Sequence, residues 1–392
     1  MRRLKRYICL VGLLALLAAA LTGCGFSDDS VEELFTLPRM AEEYTGLTQE
    51  LEALITQGYE YASPTGGRNI QSVQMADLDG DGQQEALAFF RMSSDEKPLK
   101  IFVFKIEGDS YARYCTIESS GTAIDSVYYQ DLNGDGRREL IVGWRISAEV
   151  QTVAVYTVAR EPVALMSSGY TRFTIQDLNG DGIPSLLVLR TDADSQPVAE
   201  FYGWQDEQMG VAYRCVLSST MASVNRGSLV SGRLDADTPA LYITGVDEQG
   251  MAATDILVFR QDLGLVNLAL SGSSTGVSNA VFPYRQLLPQ DINGDGIIEL
   301  PSPDTSWTAE QTDGLVSWLC CNGDGQLSTV AKTYHSLSCG WYFTIPESWW
   351  DWSVETATTS ISNENQFSLA INGDPVLSLY TITGENRENR GR

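Results

Sequence analysis

One nine-residue phrase recurs four times and limits what this chain can become. It reads Asp77-Leu-Asp-Gly-Asp-Gly-Gln-Gln-Glu85, Asp131-Leu-Asn-Gly-Asp-Gly-Arg-Arg-Glu139, Asp177-Leu-Asn-Gly-Asp-Gly-Ile-Pro-Ser185 and Asp291-Ile-Asn-Gly-Asp-Gly-Ile-Ile-Glu299. Positions one, three and five are hard oxygen donors: Asp77, Asp79 and Asp81; Asp131, Asn133 and Asp135; Asp177, Asn179 and Asp181; Asp291, Asn293 and Asp295. Calcium takes six to eight oxygens in a flexible geometry, and alternating side chains around a tight turn can supply them. Glycine at positions four and six allows the backbone to curl through positive φ. Position seven (Gln83, Arg137, Ile183, Ile297) need lend only its carbonyl, so its side chain is free to vary. Position nine is Glu85, Glu139 and Glu299, with Ser185 in the third copy.

An EF-hand would need a bidentate Glu at position twelve and flanking helices. Ala88, Val142, Val188 and Ser302 stand there instead. The flanks are strand-like. Alternating runs precede the loops (Ser126-Val-Tyr-Tyr129, Phe173-Thr-Ile175), and apolar runs follow the first three (Ala86 to Phe90, Leu140 to Trp144, Leu186 to Leu189). The plain alternative is that Asn-Gly-Asp-Gly is only a good hairpin turn. Four copies with the same oxygens favour calcium.

Strand, D-x-[DN]-G-D-G-x-x-E, then apolar strand resembles the VCBS/FG-GAP repeat of integrin α-chains and many bacterial surface proteins. The resemblance spans about residues 65–335. It implies an all-β propeller of about five to seven four-stranded blades, with Ca2+ held by the loop between the first two strands of a blade. The loop spacing agrees with a period near 50 residues. Leu234 to Ile243 keeps the strand of an intervening repeat but retains only Asp235 and Asp237 of the loop.

The N-terminus carries a different message. Basic residues to Arg6, an apolar stretch from Ile8 to Leu21, and Leu21-Thr-Gly-Cys24 match a bacterial lipoprotein signal over residues 1–23, with Cys24 as the lipidated residue. Two or more acyl chains make such an anchor stable. The expected location is the extracytoplasmic face of the cell membrane. Removal of the signal leaves 22 of the 26 basic residues against 51 acidic ones, which argues against nucleic acid as a partner.

Residues 24–64 read as a tether and a helix. Met40, Tyr44, Leu47, Leu51 and Leu54 recur at helical spacing, predicting a helix over about 40–58 that packs on a face or edge of the blades. Residues 65–338 hold the repeats. Residues 339–392 form a C-terminal β segment, either a last blade or a small β domain, with an aromatic group at Trp349, Trp350 and Trp352. Cys321 to Gly325 and Asn372-Gly373 are read as hairpin turns. Cys115 and Cys215 are expected at equivalent places in blades one and three, as separate buried thiols. Cys320 and Cys321 should point to opposite faces. His335 is the single histidine, expected to be satisfied or exposed, and no nucleophile motif accompanies it.

These features favour a non-catalytic module that binds a protein or glycan at the cell envelope, with no catalytic residues assigned. A propeller hydrolase or lyase acting on an envelope polysaccharide, or a purely structural envelope protein, are the alternatives.

Overall fold

A computed structural model describes residues 43–205, 207–246, 252–268, 277–279, 287–303, 313–337, 340–350, 354–361 and 364–382. The signal segment, Cys24, Met40, Cys339 and Trp352 lie outside the described residues. The described chain is nearly all β, in six antiparallel sheets that succeed one another like propeller blades.

A helix, α1 (Glu43–Thr56), comes first, then a short strand, β1 (Glu60–Tyr61). Sheet one is β2 (Val73–Ala76), β3 (Glu85–Arg91), β4 (Leu99–Glu107) and β5 (Ser110–Ser119), with β1 also paired to β3. Sheet two is β6 (Ala123–Gln130), β7 (Glu139–Arg145), β8 (Gln151–Tyr156) and β9 (Ala164–Gly169). Sheet three is β10 (Arg172–Gln176), β11 (Ser185–Thr191), β12 (Pro197–Gln205) and β13 (Gln208–Val216). After the single turn α2 (Met221–Val224), sheet four holds β14 (Ser228–Arg233), β15 (Pro239–Val246), β16 (Ala252–Arg260) and β17 (Gly264–Asn267), with β18 (Val277–Asn279) also against β16. Sheet five is β19 (Leu300–Pro303), β20 (Asp313–Cys321), β21 (Leu327–Ser336) and β22 (Trp341–Thr344). The last sheet has three strands, β23 (Val354–Ile361), β24 (Glu364–Ile371) and β25 (Asp374–Ile382).

The middle of the second strand in the first three blades is apolar on consecutive residues because both its faces are covered. In β3, Leu87 and Phe89 face sheet two and pack with Leu140, Val142 and Trp144. Ala86, Ala88 and Phe90 point the other way. The same alternation joins Ile141 and Val153 to Leu186 and Val188, then Leu187 and Leu189 to Leu241 and Ile243, then Ala240 and Tyr242 to Ile298 and Leu300. Tyr334 and Ile345 finally meet Phe367, Leu369 and Ile371 of the last sheet. A fully buried side chain of this size contributes roughly 1.5–3 kcal/mol. Each of these five cores therefore belongs to two neighbouring sheets.

The outer face of sheet one is covered by α1. Leu47 and Leu54 of the helix pack on Ala86, Ala88, Phe90, Phe102, Phe104 and Tyr111. Among the described residues no core cluster joins the first sheet to the last. The predicted helix is present over the described residues Glu43–Thr56, ending two residues before the expected C-terminal bound, and its place is a sheet face. Trp341–Thr344, which falls within the C-terminal segment 339–392, pairs with β21 and so extends sheet five.

A buried polar tie reinforces the seam between sheets three and four. Asp255 is fully buried. Its carboxylate accepts the Ser218 and Ser219 N–H groups at 2.8 and 3.1 Å and Asn267 Nδ2 at 2.7 Å. Three donors satisfy a charge that would otherwise be costly to bury.

Candidate functional site

The four loops sit where the sequence phrase requires, each between the first two strand positions of a blade. Gln130 pairs with Glu139, Gln176 with Ser185, Ala76 with Glu85, and Gln290 with Glu299. They also share one geometry. The carboxylate at position one accepts the N–H groups of positions four and six: Asp77 from Gly80 and Gly82 at 2.8 and 3.1 Å, Asp131 from Gly134 and Gly136 at 2.6 and 2.9 Å. Asp177 and Asp291 do the same with Gly180 and Gly182, and with Gly294 and Gly296. The glycines at positions four and six have φ between 74° and 87°, a region unfavourable to any residue with a Cβ. Position five accepts the N–H of position seven: Gln83, Arg137, Ile183 and Ile297 donate to Asp81, Asp135, Asp181 and Asp295 at 2.7–2.8 Å.

Position nine closes the loop from below. Glu85, Glu139 and Glu299 are buried, and each accepts the N–H of position two, from Leu78, Leu132 and Ile292 at 2.7, 2.8 and 3.0 Å. Burial pushes the carboxyl of each above the ordinary glutamate range. The bond from position two works against that rise, and the neighbouring aspartates add to it. Asp81, by contrast, is held below its usual range, first by the Gln83 N–H and also by Lys105.

These residues suit a hard cation. Every side-chain donor is an oxygen. Asp79 Oδ1, Glu85 Oε1 and Asn179 Oδ1 are buried without a hydrogen-bond partner. Asp77, Asp79 and Glu85 each offer an oxygen within 4.8 Å of the others. In loop one the orphaned Asp79 and Glu85 oxygens surround a point that a positive charge would satisfy, and in loop three Asn179 Oδ1 is one more such acceptor.

The loops touch one another. Arg138 N–H donates to Leu78 O at 2.7 Å, linking loops one and two. A Cβ on Gly80 would stand 2.6 Å from Gly136 O, and one on Gly134 would stand 2.7 Å from Ile183 Cδ1. Beside loop two a cleft of about 690 Å³ opens, lined by Asp79, Asp135, Arg137, Glu139 and Trp204 among others. Trp204 is fixed there by its Nε1, which donates to Leu132 O at 2.7 Å.

One side chain of the first loop escaped sequence reasoning. Lys105 of β4 turns its ammonium into loop one, bonded to Asp79 and lying 3.4 Å from Asp81 Oδ2 and 3.7 Å from Glu85 Oε1. The signal lay in strand register, since Phe104 pairs with Ala86 directly after Glu85.

Elsewhere the fourth repeat has only a tight turn, in which Asp235 Oδ1 accepts the Asp237 and Thr238 N–H groups at 3.0 and 2.9 Å. Asn322 accepts the Asp324 and Gln326 N–H groups, so the Cys321 to Gly325 segment is a hairpin turn between β20 and β21. Asn372 and Gly373, at φ 51° and 87°, turn β24 into β25. Cys115, Cys215, Cys320 and Cys321 are all free thiols. Cys115 pairs with Val103 and Cys215 with Ala199, two residues apart along equivalent strands, because β11 and β12 are joined by a shorter connection than β3 and β4. His335 is neither satisfied nor exposed. It is buried, stacked on Tyr342 at 5.2 Å, and its Nε2 has no partner. Burial lowers it to about 4.

No protein-family model matches the chain, and no curated protein does. Solved structures similar to it include Sqt1 of Saccharomyces cerevisiae, with 13% identity and a TM-score of 0.31 over 82% of this chain and 86% of that one. The β-propeller domain of the Trilobed protease from Pyrococcus furiosus is 12% identical with a TM-score of 0.29, over 80% and 82%. An exo-β-1,3-galactanase from Phanerochaete chrysosporium is 9% identical with a TM-score of 0.27, over 82% and 88%.

Proposed function

We propose that this protein is a calcium-dependent binding module, anchored through a lipidated Cys24 to the extracytoplasmic face of the cell membrane, that holds a glycan or protein segment without transforming it. The observation that carries the reading is the cleft beside loop two, whose lining includes Asp79, Asp135, Glu139, Arg137 and Trp204. A ligand with hydroxyl or carboxylate groups matches that mixture. Arginine and acidic side chains supply hydrogen bonds, and an indole offers an apolar face for a sugar ring or an aliphatic side chain.

Calcium would be held by Asp131, Asn133, Asp135 and Glu139, by Asp177, Asn179 and Asp181, and by Asp291, Asn293, Asp295 and Glu299, with the carbonyls of Arg137, Ile183 and Ile297. Its contribution is to neutralise clustered carboxylates and fix the turn that shapes the cleft wall. Asp131 already sets the backbone of that turn through its three accepted N–H groups.

The test is binding of envelope polysaccharide and peptidoglycan fragments to the protein in calcium and in chelator. Binding in calcium that falls at least tenfold in chelator, with the ligand recovered intact, supports the reading. Cleavage of the ligand would replace it with the hydrolase alternative.

A further inference from the structure

We propose that Lys105 is the built-in counter-cation of the first loop, so that this loop is completed by the protein's own ammonium group and takes no metal ion. The proposal rests on the calcium reading of the other loops only for its contrast, and its test separates the two.

Strand register brings Lys105 beside loop one. Phe104 pairs with Ala86, Tyr156 with Leu140, Tyr202 with Leu186 and Leu319 with Leu300, in each case the residue directly after position nine. The next residue along the third strand is therefore Lys105 in blade one, Thr157 in blade two, Gly203 in blade three and Cys320 in blade five. Only the first is a cation. Its ammonium lies among Asp79, Asp81 and Glu85, which are loop positions three, five and nine. Those are the positions whose oxygens would surround a metal ion, and a lysine head cannot share that space with one.

The composition of the loop agrees. Loop one has Asp79 at position three, where the other three have Asn133, Asn179 and Asn293. The asparagines bond sideways through Nδ2 to position five, at 3.2, 2.7 and 2.9 Å. Asp79 has no such donor and bonds to Lys105 instead. The one loop with an extra carboxylate is thus the one with an internal cation. Lys105 is three-quarters buried and bonded to Asp79.

Calcium stoichiometry on the detergent-solubilised full chain decides the matter. Isothermal titration would compare the wild type, Lys105→Thr (the residue found at the blade-two position) and Asp77→Ala, with Asp131→Ala as the control for a metal loop. Lys105→Thr should bind one more ion than the wild type. Asp77→Ala should bind the same number as the wild type, while Asp131→Ala binds one fewer. An equal count for folded Lys105→Thr and wild type overturns the proposal, as does loss of one ion in Asp77→Ala. If Lys105→Thr fails to fold, the Asp77→Ala count decides alone. A wild type that binds no calcium while Lys105→Thr binds one upholds the role of Lys105 and removes the calcium reading of the other loops. No ion in either refutes both.

Discussion

Replacing Asp131 by Ala should cost stability in two separable parts. In chelator the loss comes from the loop backbone alone. The Asp131 carboxylate accepts the Asn133, Gly134 and Gly136 N–H groups at 3.2, 2.6 and 2.9 Å. Hydrogen bonds to charged groups are worth about 1.5–3 kcal/mol each. Asp131 is half-buried and water can reach the released donors, so the expected total is about 3 kcal/mol, below the roughly 4.5 kcal/mol that three such bonds would give at the low end of that range. In calcium at one hundred times the dissociation constant, the wild type gains a further ~2.7 kcal/mol from that site, which the variant lacks. Urea unfolding of both proteins, in calcium and in chelator, measures the two terms. The difference between them should grow with the logarithm of calcium concentration. A loss of the same size in both conditions would refute loop two as a metal site and leave Asp131 as the organiser of a turn.

Three further expectations concern other parts of the molecule. His335 is neutral in the folded state, its pKa lowered by burial from 6.5 to about 4. The associated stability is complete above pH 6.5 and is lost as pH falls toward 4, about 3 kcal/mol in all; an NMR titration of this lone histidine with a midpoint near 6.5 would contradict it. Leu54→Ala should cost about 3 kcal/mol by opening a cavity between α1 and sheet one, where Leu54 is fully buried. Its mark in hydrogen exchange should be faster exchange of α1, with sheets three and four unchanged. Cys24→Ala should release the protein from membranes or leave it unprocessed, as fractionation and lipid labelling would show, and unchanged labelling would refute the anchor.

The repeats were legible in the sequence because loop chemistry and strand period reinforce each other. Asp at position one organises two glycines through its own hydrogen bonds, so its geometry is local and survives changes at position seven from Gln83 to Ile297. The continuous apolar runs announced strands with two covered faces. Lys105 was hidden because its partner loop lies on a neighbouring strand, and only register brings it there. Cys215 was displaced from the place expected of it because connection length, not distance from the loop, sets strand pairing. The burial of His335 depends on Trp318 and Tyr342, the latter from a strand added beyond β21. Asp255 gave no local sign, since its donors lie in the segment between sheets three and four and on β17.

The helix against sheet one has a consequence for how the molecule comes apart. Each sheet shares its core with its sequence neighbours, and α1 occupies the face that a ring-closing sheet would need. Among the described residues the shared cores run from sheet to sequence-neighbouring sheet, with no core cluster between the first and the last. In such a row stability is the sum of unit and nearest-neighbour terms, and loosening begins at the termini and moves inward. Among the described residues the last sheet has three strands and shares a core cluster with sheet five alone. Under force or mild denaturant it should peel away first, leaving sheets one to three held together until late.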